Sequence, residues 1–498
     1  MNRLALGLLS LVAPVSLAAQ GSDGINRAIH SITAEDVRHR IAVISDDSML
    51  GRDTPSPGLD MTAGYIAEEF RRIGLAPGGD DNGYIQHYPV TEILTSLRVT
   101  SSSGGNLTAG ESVVQLAGGP APDGITGPVV IVNGSGKPAG PMSLAGAVVV
   151  QAAEFDPQRR GLAEPSQTLL DAVQQENPAA IIVFADMSDR TWRFFARQGG
   201  RRVVTGQVVE PPSGAPLLVA RQSSAQELLG TGGYVSTEGA PAARSVSGLT
   251  VTVTATRDVT ERRAPNVVGI LEGSDPGLKN EYVLYSAHMD HVGVGRPVNG
   301  DSIYNGADDD ASGTVAVIEA AEAFATLNPR PRRSMIFLLV SGEEKGLWGS
   351  AYFAENPPVP LSDVVADLNA DMVGRNWPDT IVVIGKEHSD LGETLNRVNA
   401  EHQELGMTAI DDIWPNERFY FRSDHYNFAK RGVPILFFFN GTHPDYHRPS
   451  DSVDKIDADK EARIVQLMFY LGLDVANADQ RPQWDPDSYD QIVRQGTP

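Results

Sequence analysis

Glu281-Tyr-Val-Leu-Tyr-Ser-Ala287 is a short apolar run of strand length that ends directly on His288, and the pattern recurs along the second half of the chain. Met335-Ile-Phe-Leu-Leu-Val340 leads into Ser341-Gly-Glu-Glu344, and Val364-Val-Ala-Asp-Leu-Asn-Ala370 leads into Asp371. Val433-Pro-Ile-Leu-Phe-Phe-Phe439 continues through Asn440-Gly-Thr-His-Pro-Asp-Tyr446 to His447. In open α/β sheets the carboxyl ends of the strands converge on one crevice, so residues far apart in sequence meet there. An alanine-rich stretch of helical character, Ala311 to Leu327, follows Asp308. The expected fold is therefore α/β, with a central sheet flanked by helices and a row of metal-binding side chains along one edge.

The chain has 498 residues, 41% of them hydrophobic, which suits two or three globular domains. Forty Lys and Arg against 63 Asp and Glu give a formal charge of −23, which argues against binding nucleic acid or an anionic membrane surface. The same charge favours cationic ligands such as metal ions and free amino termini. Cysteine is absent, which excludes disulfides and thiolate ligands. Met1 to Ala19, with Arg3, an apolar stretch from Leu4 to Leu17 and small residues at its end, reads as a secretory signal peptide. Pro14 interrupts the stretch, and it is short for a membrane span of about 20 residues. A secreted or periplasmic protein with no integral membrane segment in the mature chain is expected.

Thr33–Ile44 and Asp60–Ile73 have helical spacing, with Ala63, Ile66, Phe70 and Ile73 on one face and Gly74 as the stop. From about Leu97 to Thr256 the texture changes to short β-rich runs among Gly, Pro and Ser. Residues 128–132, 147–151, 179–184 and 216–220 read as buried strands, 169–175 as a helix and 249–256 as an alternating strand. No His, Glu or Asp cluster there suggests chemistry, so the segment is expected to be an inserted noncatalytic domain. A charged linker is expected at Arg257–Pro265. The expected boundaries are 1–19 for the signal peptide, 24–95 and 257–478 for the two parts of the catalytic domain, 96–256 for the insertion and 479–498 for a C-terminal extension.

His288, Asp308, Glu344, Asp371 and His447 together carry the chemical expectation. Two divalent ions about 3.5–4 Å apart polarise a carbonyl and lower the pKa of a shared water, and such a pair needs a bridging ligand. The loop Asn305-Gly-Ala-Asp-Asp-Asp-Ala-Ser-Gly313 offers Asp308 as that bridge. One ion takes Asp308, His288 and Asp371, and the other takes Asp308, Glu344 and His447. A thiolate-free His and carboxylate set points to two Zn²⁺ per chain, with Co²⁺ or Mn²⁺ as possible substitutes. Glu343, next to a ligand, suits a general base. Asp290 is placed to accept the second N–H of His288, and Tyr446 to donate to the oxyanion of a tetrahedral intermediate.

These residues resemble the zinc aminopeptidases of peptidase family M28. The matching stretches are Ala287-His-Met-Asp-His291, residues 305–313, Ser341-Gly-Glu-Glu-Lys-Gly-Leu-Trp-Gly-Ser350, Asn369-Ala-Asp-Met-Val-Gly374, Arg422-Ser-Asp-His425 and Asp445-Tyr-His-Arg-Pro-Ser-Asp451. The resemblance covers about 200 residues, and its order and spacing make it specific. It implies a zinc aminopeptidase/phosphorylase-hydrolase-like mixed sheet, the same five ligands for two zinc ions, Glu343 as base, and a cis peptide between Asp308 and Asp309. The inserted segment resembles a protease-associated (PA) domain. Asp310 stands where many relatives have Asn; His291 and His443 are candidates to orient ligands or contact substrate, and His291, His425 and His443 are expected to be hydrogen-bonded structural residues and not further metal ligands.

The function expected is that of an exported zinc-dependent exopeptidase, an aminopeptidase acting on peptides through a two-zinc-activated water. Trp414, Phe419, Tyr420 and Phe421 are candidates to line a pocket for an apolar first residue. One alternative is a carboxypeptidase or dipeptidase of the same superfamily, which needs a cation such as Arg422 or Arg448 for the substrate carboxylate. The other is a noncatalytic receptor-like binding protein of the same fold. Sequence leaves the oligomeric state open.

Overall fold

Three helices open the chain. In the computed structural model, which describes residues 17–156, 161–198, 202–206, 213–230 and 233–496, they are α1 (Leu17–Ser31), α2 (Ala34–Ile44) and α3 (Pro57–Ile73). Residues 1–16, which carry most of the expected signal peptide, lie outside the described residues. The Thr33 hydroxyl accepts from the Asp36 amide at 3.1 Å, and Glu35 and Asp36 occupy the first turn of α2, both favourable at a helix N-terminus. α3 begins with Ser56 as N-cap and Pro57 in its first turn, and it ends at Gly74, whose φ of 87° suits a glycine stop. Its Ala63, Ile66 and Phe70 are buried on one face, and Ile73 packs against the same core.

The chain divides into two units, one of residues 1–88 and 263–498, the other of residues 89–262. The sheet of the first unit uses β1 (Ala242–Leu271), β2 (Tyr282–His288), β3 (Ser334–Val340), β4 (Val364–Asp371), β5 (Thr380–Ile384), β6 (Thr408–Ile410) and β7 (Ile435–Phe439). Its order is β6-β5-β7-β4-β2-β3-β1. Strands β7, β4, β2 and β3 run parallel. β1 pairs antiparallel with β3, and β5 antiparallel with β7, so the sheet is mixed. Around it lie α4 (Gly313–Ala325), α5 (Trp348–Glu355), α6 (Leu391–Glu401) and α7 (Ala458–Asn477).

The continuous apolar runs follow from burial on both faces. Side chains alternate along a strand, so Val283, Tyr285 and Ala287 join Phe337, Leu339 and Leu368 in one core with Phe324 of α4 and Phe469 of α7. Leu284, Ile336, Leu338 and Val340 join the opposite core with Phe353 of α5, Phe428 and Phe437. Burying each such large side chain stabilises the fold by about 1.5–3 kcal/mol.

Arg257–Pro265, expected as a charged linker, contains the boundary between the two units at 262/263 and is extended, β1 running through it without a break. Its charged residues, exposed from Asp258 to Arg263, mark solvent exposure of the strand and not an end to extended structure. In the expected C-terminal extension, Trp484 Nε1 donates to the Gly432 carbonyl at 2.9 Å, Arg481 pairs with Glu281 and Ile492 is buried.

In the second unit, parallel strands Ala121–Asn133, Val148–Ala153, Ala180–Ala185 and Leu217–Arg221 follow one another across a sheet. Val113–Ala117 flanks it antiparallel at one side, and the first part of β1 at the other. Helix Glu164–Gln175 buries Leu169, Leu170 and Val173 on one face of this sheet. Among the described residues, no helix is long and apolar enough to cross a membrane.

Candidate metal centre

Because β2, β3, β4 and β7 are parallel, their carboxyl ends lie along one edge of the sheet. His288 is the last residue of β2 and Asp371 the last of β4; Glu343 and Glu344 follow β3, and His447 lies in the loop after β7. The loop before α4 brings three consecutive aspartates to the same edge. Two groups of donors form there, His288 with Asp309 and Asp371, and His291 with Asp309, Glu344 and His447, the donor atoms of each group all lying within 4.8 Å of one another.

Asp309 joins the two groups. Its Oδ1 lies 3.4 Å from His288 Nε2, and its Oδ2 lies 3.1 Å from His447 Nε2. Asp371 Oδ2 is 3.8 Å from His288 Nε2, and Glu344 Oε2 is 3.1 Å from His447 Nε2. Asp309 Oδ2 and Glu344 Oε1 are buried without a hydrogen-bond partner, as expected of carboxylates whose partner is a cation. Nitrogen and carboxylate donors without thiolate fit zinc.

Asp308, the expected bridge, faces elsewhere. Its Oδ1 accepts from the Gly374 amide at 2.7 Å, and its Oδ2 lies 3.1 Å from His443 Nε2. Asp310 Oδ1 accepts from the Gly313 and Met372 amides, and its Oδ2 from the His288 amide. The backbone leaves helical geometry at Asp309 and Asp310, so three adjacent carboxylates point in three directions. The cis peptide is Asp309–Asp310, one residue beyond the expected bond. Spacing alone cannot choose among three neighbouring aspartates, since each is equally near the helix.

Asp290 works through more than its expected contact. His288 Nδ1 is nearest the Asp290 backbone carbonyl, at 3.1 Å, with Asp290 Oδ1 at 3.6 Å. The Asp290 carboxylate also accepts from the Glu343 amide at 3.3 Å and from Thr54 Oγ1 at 3.0 Å, while the Gly342 amide donates to Thr54 Oγ1. It therefore fixes the backbone that carries Glu343. Burial pushes the Glu343 carboxyl well above the ordinary range; His288 opposes this, while Asp424, Asp371 and Glu344 reinforce it. A cation in the adjacent donor set acts in the same sense as His288, toward the carboxylate. For Asp309, burial is outweighed by His291, His288 and His447, which hold its carboxyl well below the usual range.

A cavity of about 50 Å³ opens against the first donor group, lined by His288, Asp309, Glu343 and Asp371 on its polar side. Phe419, Phe437 and Phe439 form apolar wall, and Arg422 and Tyr446 also line it. Of the four aromatic residues expected there, only Phe419 does. Trp414 supports it from behind, Tyr420 packs on His425, and Phe421 packs on Tyr426. Phe437 and Phe439 were hidden in a run that reads as core. Tyr446 stacks on His447 with ring centroids 3.9 Å apart, and burial pushes its phenol up, so it remains a donor.

Arg52 escaped sequence reading altogether. It is fully buried, and its guanidinium donates to the carbonyls of Ile44, Met289, Asn305 and Gly306 at 2.5–3.0 Å. Two of these acceptors belong to the loop carrying Asp309, and one lies between His288 and Asp290. Nothing in its turn-rich surroundings distinguishes it from a surface arginine.

Strand-edge donors around a shared carboxylate, beside a cleft with a free acidic group, define an α/β metallohydrolase. Residues 266–472 match the model of Peptidase family M28. Among curated relatives, a probable zinc metalloprotease from Pyricularia oryzae is 28% identical over 356 residues, 63% of this chain and 67% of its own length. A probable leucine aminopeptidase from Arthroderma benhamiae is 28% identical over 211 residues, 41% of this chain; the match spans only 56% of that relative. Two solved structures share the fold. The aminopeptidase from Aneurinibacillus sp. strain AM-1 matches with TM-score 0.54 and 16% identity over 93% of this chain and 98% of its own. A zinc aminopeptidase from Bacillus subtilis matches with TM-score 0.51 and 16% identity over 88% and 94%.

Proposed function

We propose that the protein is a two-zinc exopeptidase that removes amino-terminal residues from peptides. The observation that carries this reading is the Asp309 carboxylate, which turns one oxygen to each donor group directly beside Glu343 and the apolar cavity. The bound metal would supply Lewis-acid activation of water and of the scissile carbonyl. Glu343 accepts the proton of the attacking water and passes it to the leaving amine. Tyr446 donates to the oxygen that becomes negative, and Asp290 holds Glu343 and His288 in register. The cavity, walled by Phe419, Phe437 and Phe439, holds the first side chain and favours apolar residues of modest size. The leader pattern supports export, and the second unit, in which neither donor group lies, is read as a noncatalytic PA-like insertion.

The test is hydrolysis of aminoacyl p-nitroanilides and of N-blocked peptides, with chelator and with zinc restored. Chelator-sensitive cleavage of only the unblocked substrates is expected. Arg422, the cation at the cavity, supports carboxypeptidase or dipeptidase action as the second reading. Cleavage of the N-blocked peptides at their carboxyl end would favour it and overturn the first.

The bridge assignment has its own test in metal content after gel filtration. Asp309→Ala is expected to lose both ions, whereas Asp308→Asn retains them. The opposite result would return the bridge to Asp308.

A further inference from the structure

His291 lies on neither side of the expected ligand pattern, yet its ring is enclosed in the second donor group. It is fully buried, and neither ring nitrogen has a hydrogen-bond partner. Nδ1 approaches Glu344 Oε1 at 2.8 Å without the alignment of a hydrogen bond, and Asp309 Oδ2 at 3.7 Å. Those two oxygens are themselves buried and unpartnered. Three orphaned atoms thus face one another, with His447 Nε2 at 3.1 Å from both Asp309 and Glu344. Four donors held about 2.0–2.2 Å from a tetrahedral zinc lie about 3.3–3.6 Å apart, close to the range of these separations. A histidine serving only to orient Glu344 would point an N–H along the hydrogen bond and leave no orphaned oxygen.

The surrounding backbone holds the ring in place. The His291 amide donates to the Arg52 carbonyl at 3.2 Å, and the His447 ring meets it edge-on at 5.5 Å. Gly306, with φ of +58°, passes so close that a Cβ there would lie 2.5 Å from His291 Cγ. The absence of a side chain at Gly306 is what leaves room for the imidazole.

We infer that His291 is a fourth protein ligand of the second metal pocket, which makes that pocket closed and leaves the open coordination position to the pocket of His288, Asp309 and Asp371. This rests on the two-zinc reading above. Closed four-ligand zinc sites are structural, whereas catalytic sites keep a position free for water or substrate. The open pocket is also the one that borders Glu343 and the cavity. The two ions therefore have unequal roles, with the ion at His291 retained and the ion at His288 exchangeable.

The absence of native cysteine gives a direct test. His291→Cys, loaded with Co²⁺, is expected to show a thiolate-to-cobalt charge-transfer band that the cobalt-loaded wild type lacks. A folded variant that holds two Co²⁺ without that band overturns the assignment and leaves the two-metal reading intact. A wild type that binds no metal overturns both. Should the cysteine variant fail to fold, His291→Ala decides: competition with a chelator is expected to show the slowly released ion weakened by at least about tenfold, with the fast ion still present. Release kinetics identical to wild type in folded His291→Ala would also overturn it.

Discussion

Replacing Glu343 with glutamine is expected to lower turnover by about 10²–10⁴-fold while both metal ions remain bound. Glu343 contributes to neither donor group, so its amide replacement keeps the size of the side chain and removes only the basic oxygen. Its backbone is held by Asp290 through the 3.3 Å contact to the Glu343 amide, which the substitution does not touch. Metal analysis, thermal unfolding and steady-state kinetics on one preparation check this. Wild-type turnover with full metal content would remove Glu343 as the base. A matching loss of metal would instead make it a ligand.

Arg52→Met is expected to cost about 3–5 kcal/mol of stability, the scale for breaking a buried charged network by removing one partner. The carbonyls of Ile44, Met289 and Asn305 would lose the guanidinium that now joins them, while that of Gly306 would keep the Ala311 amide, and each group left unsatisfied costs about 1–3 kcal/mol. Burial lowers the arginine's pKa, while Asp309, Asp290, Asp310 and Asp451 favour its charged form; as an arginine it stays protonated. It is therefore the internal counter-cation of the acidic centre. Denaturant midpoints with and without zinc measure the effect. Added zinc is expected to recover part of the loss, because an ion that binds only the folded chain stabilises it by mass action. Arg52→Lys, which keeps the charge but not the planar fork, is expected to fall between the two. A wild-type midpoint and wild-type metal retention in Arg52→Met would show that the four carbonyls are satisfied without it.

The strands that deliver His288, Glu344 and Asp371 were legible because burial on both sheet faces demands continuous apolar runs, and the polar residue that ends each run stands out. The α3 helix was legible for a similar reason, its apolar face and Gly74 stop being local signals. The change of texture from about Leu97 to Thr256 falls within the second unit, residues 89–262, but the length of β1 was not visible, since an exposed strand and a charged linker share one composition.

What the sequence by itself determined is the parallel core, the edge where the donors gather and the chemical type of those donors, all of which follow from periodicity and residue class. Tertiary structure alone decided which aspartate turns inward, because the backbone around Asp309 and Asp310 sets three directions for three identical side chains. It likewise decided that His291 enters the centre, that Phe437 and Phe439 wall the cavity, and that Arg52 lies beneath the metal loops. Those outcomes depend on segments far apart in sequence coming together, Phe437 and Phe439 beside His288 and Asp309, and Arg52 with Met289 and Asn305, and no local pattern encodes the direction in which a side chain will find its partner.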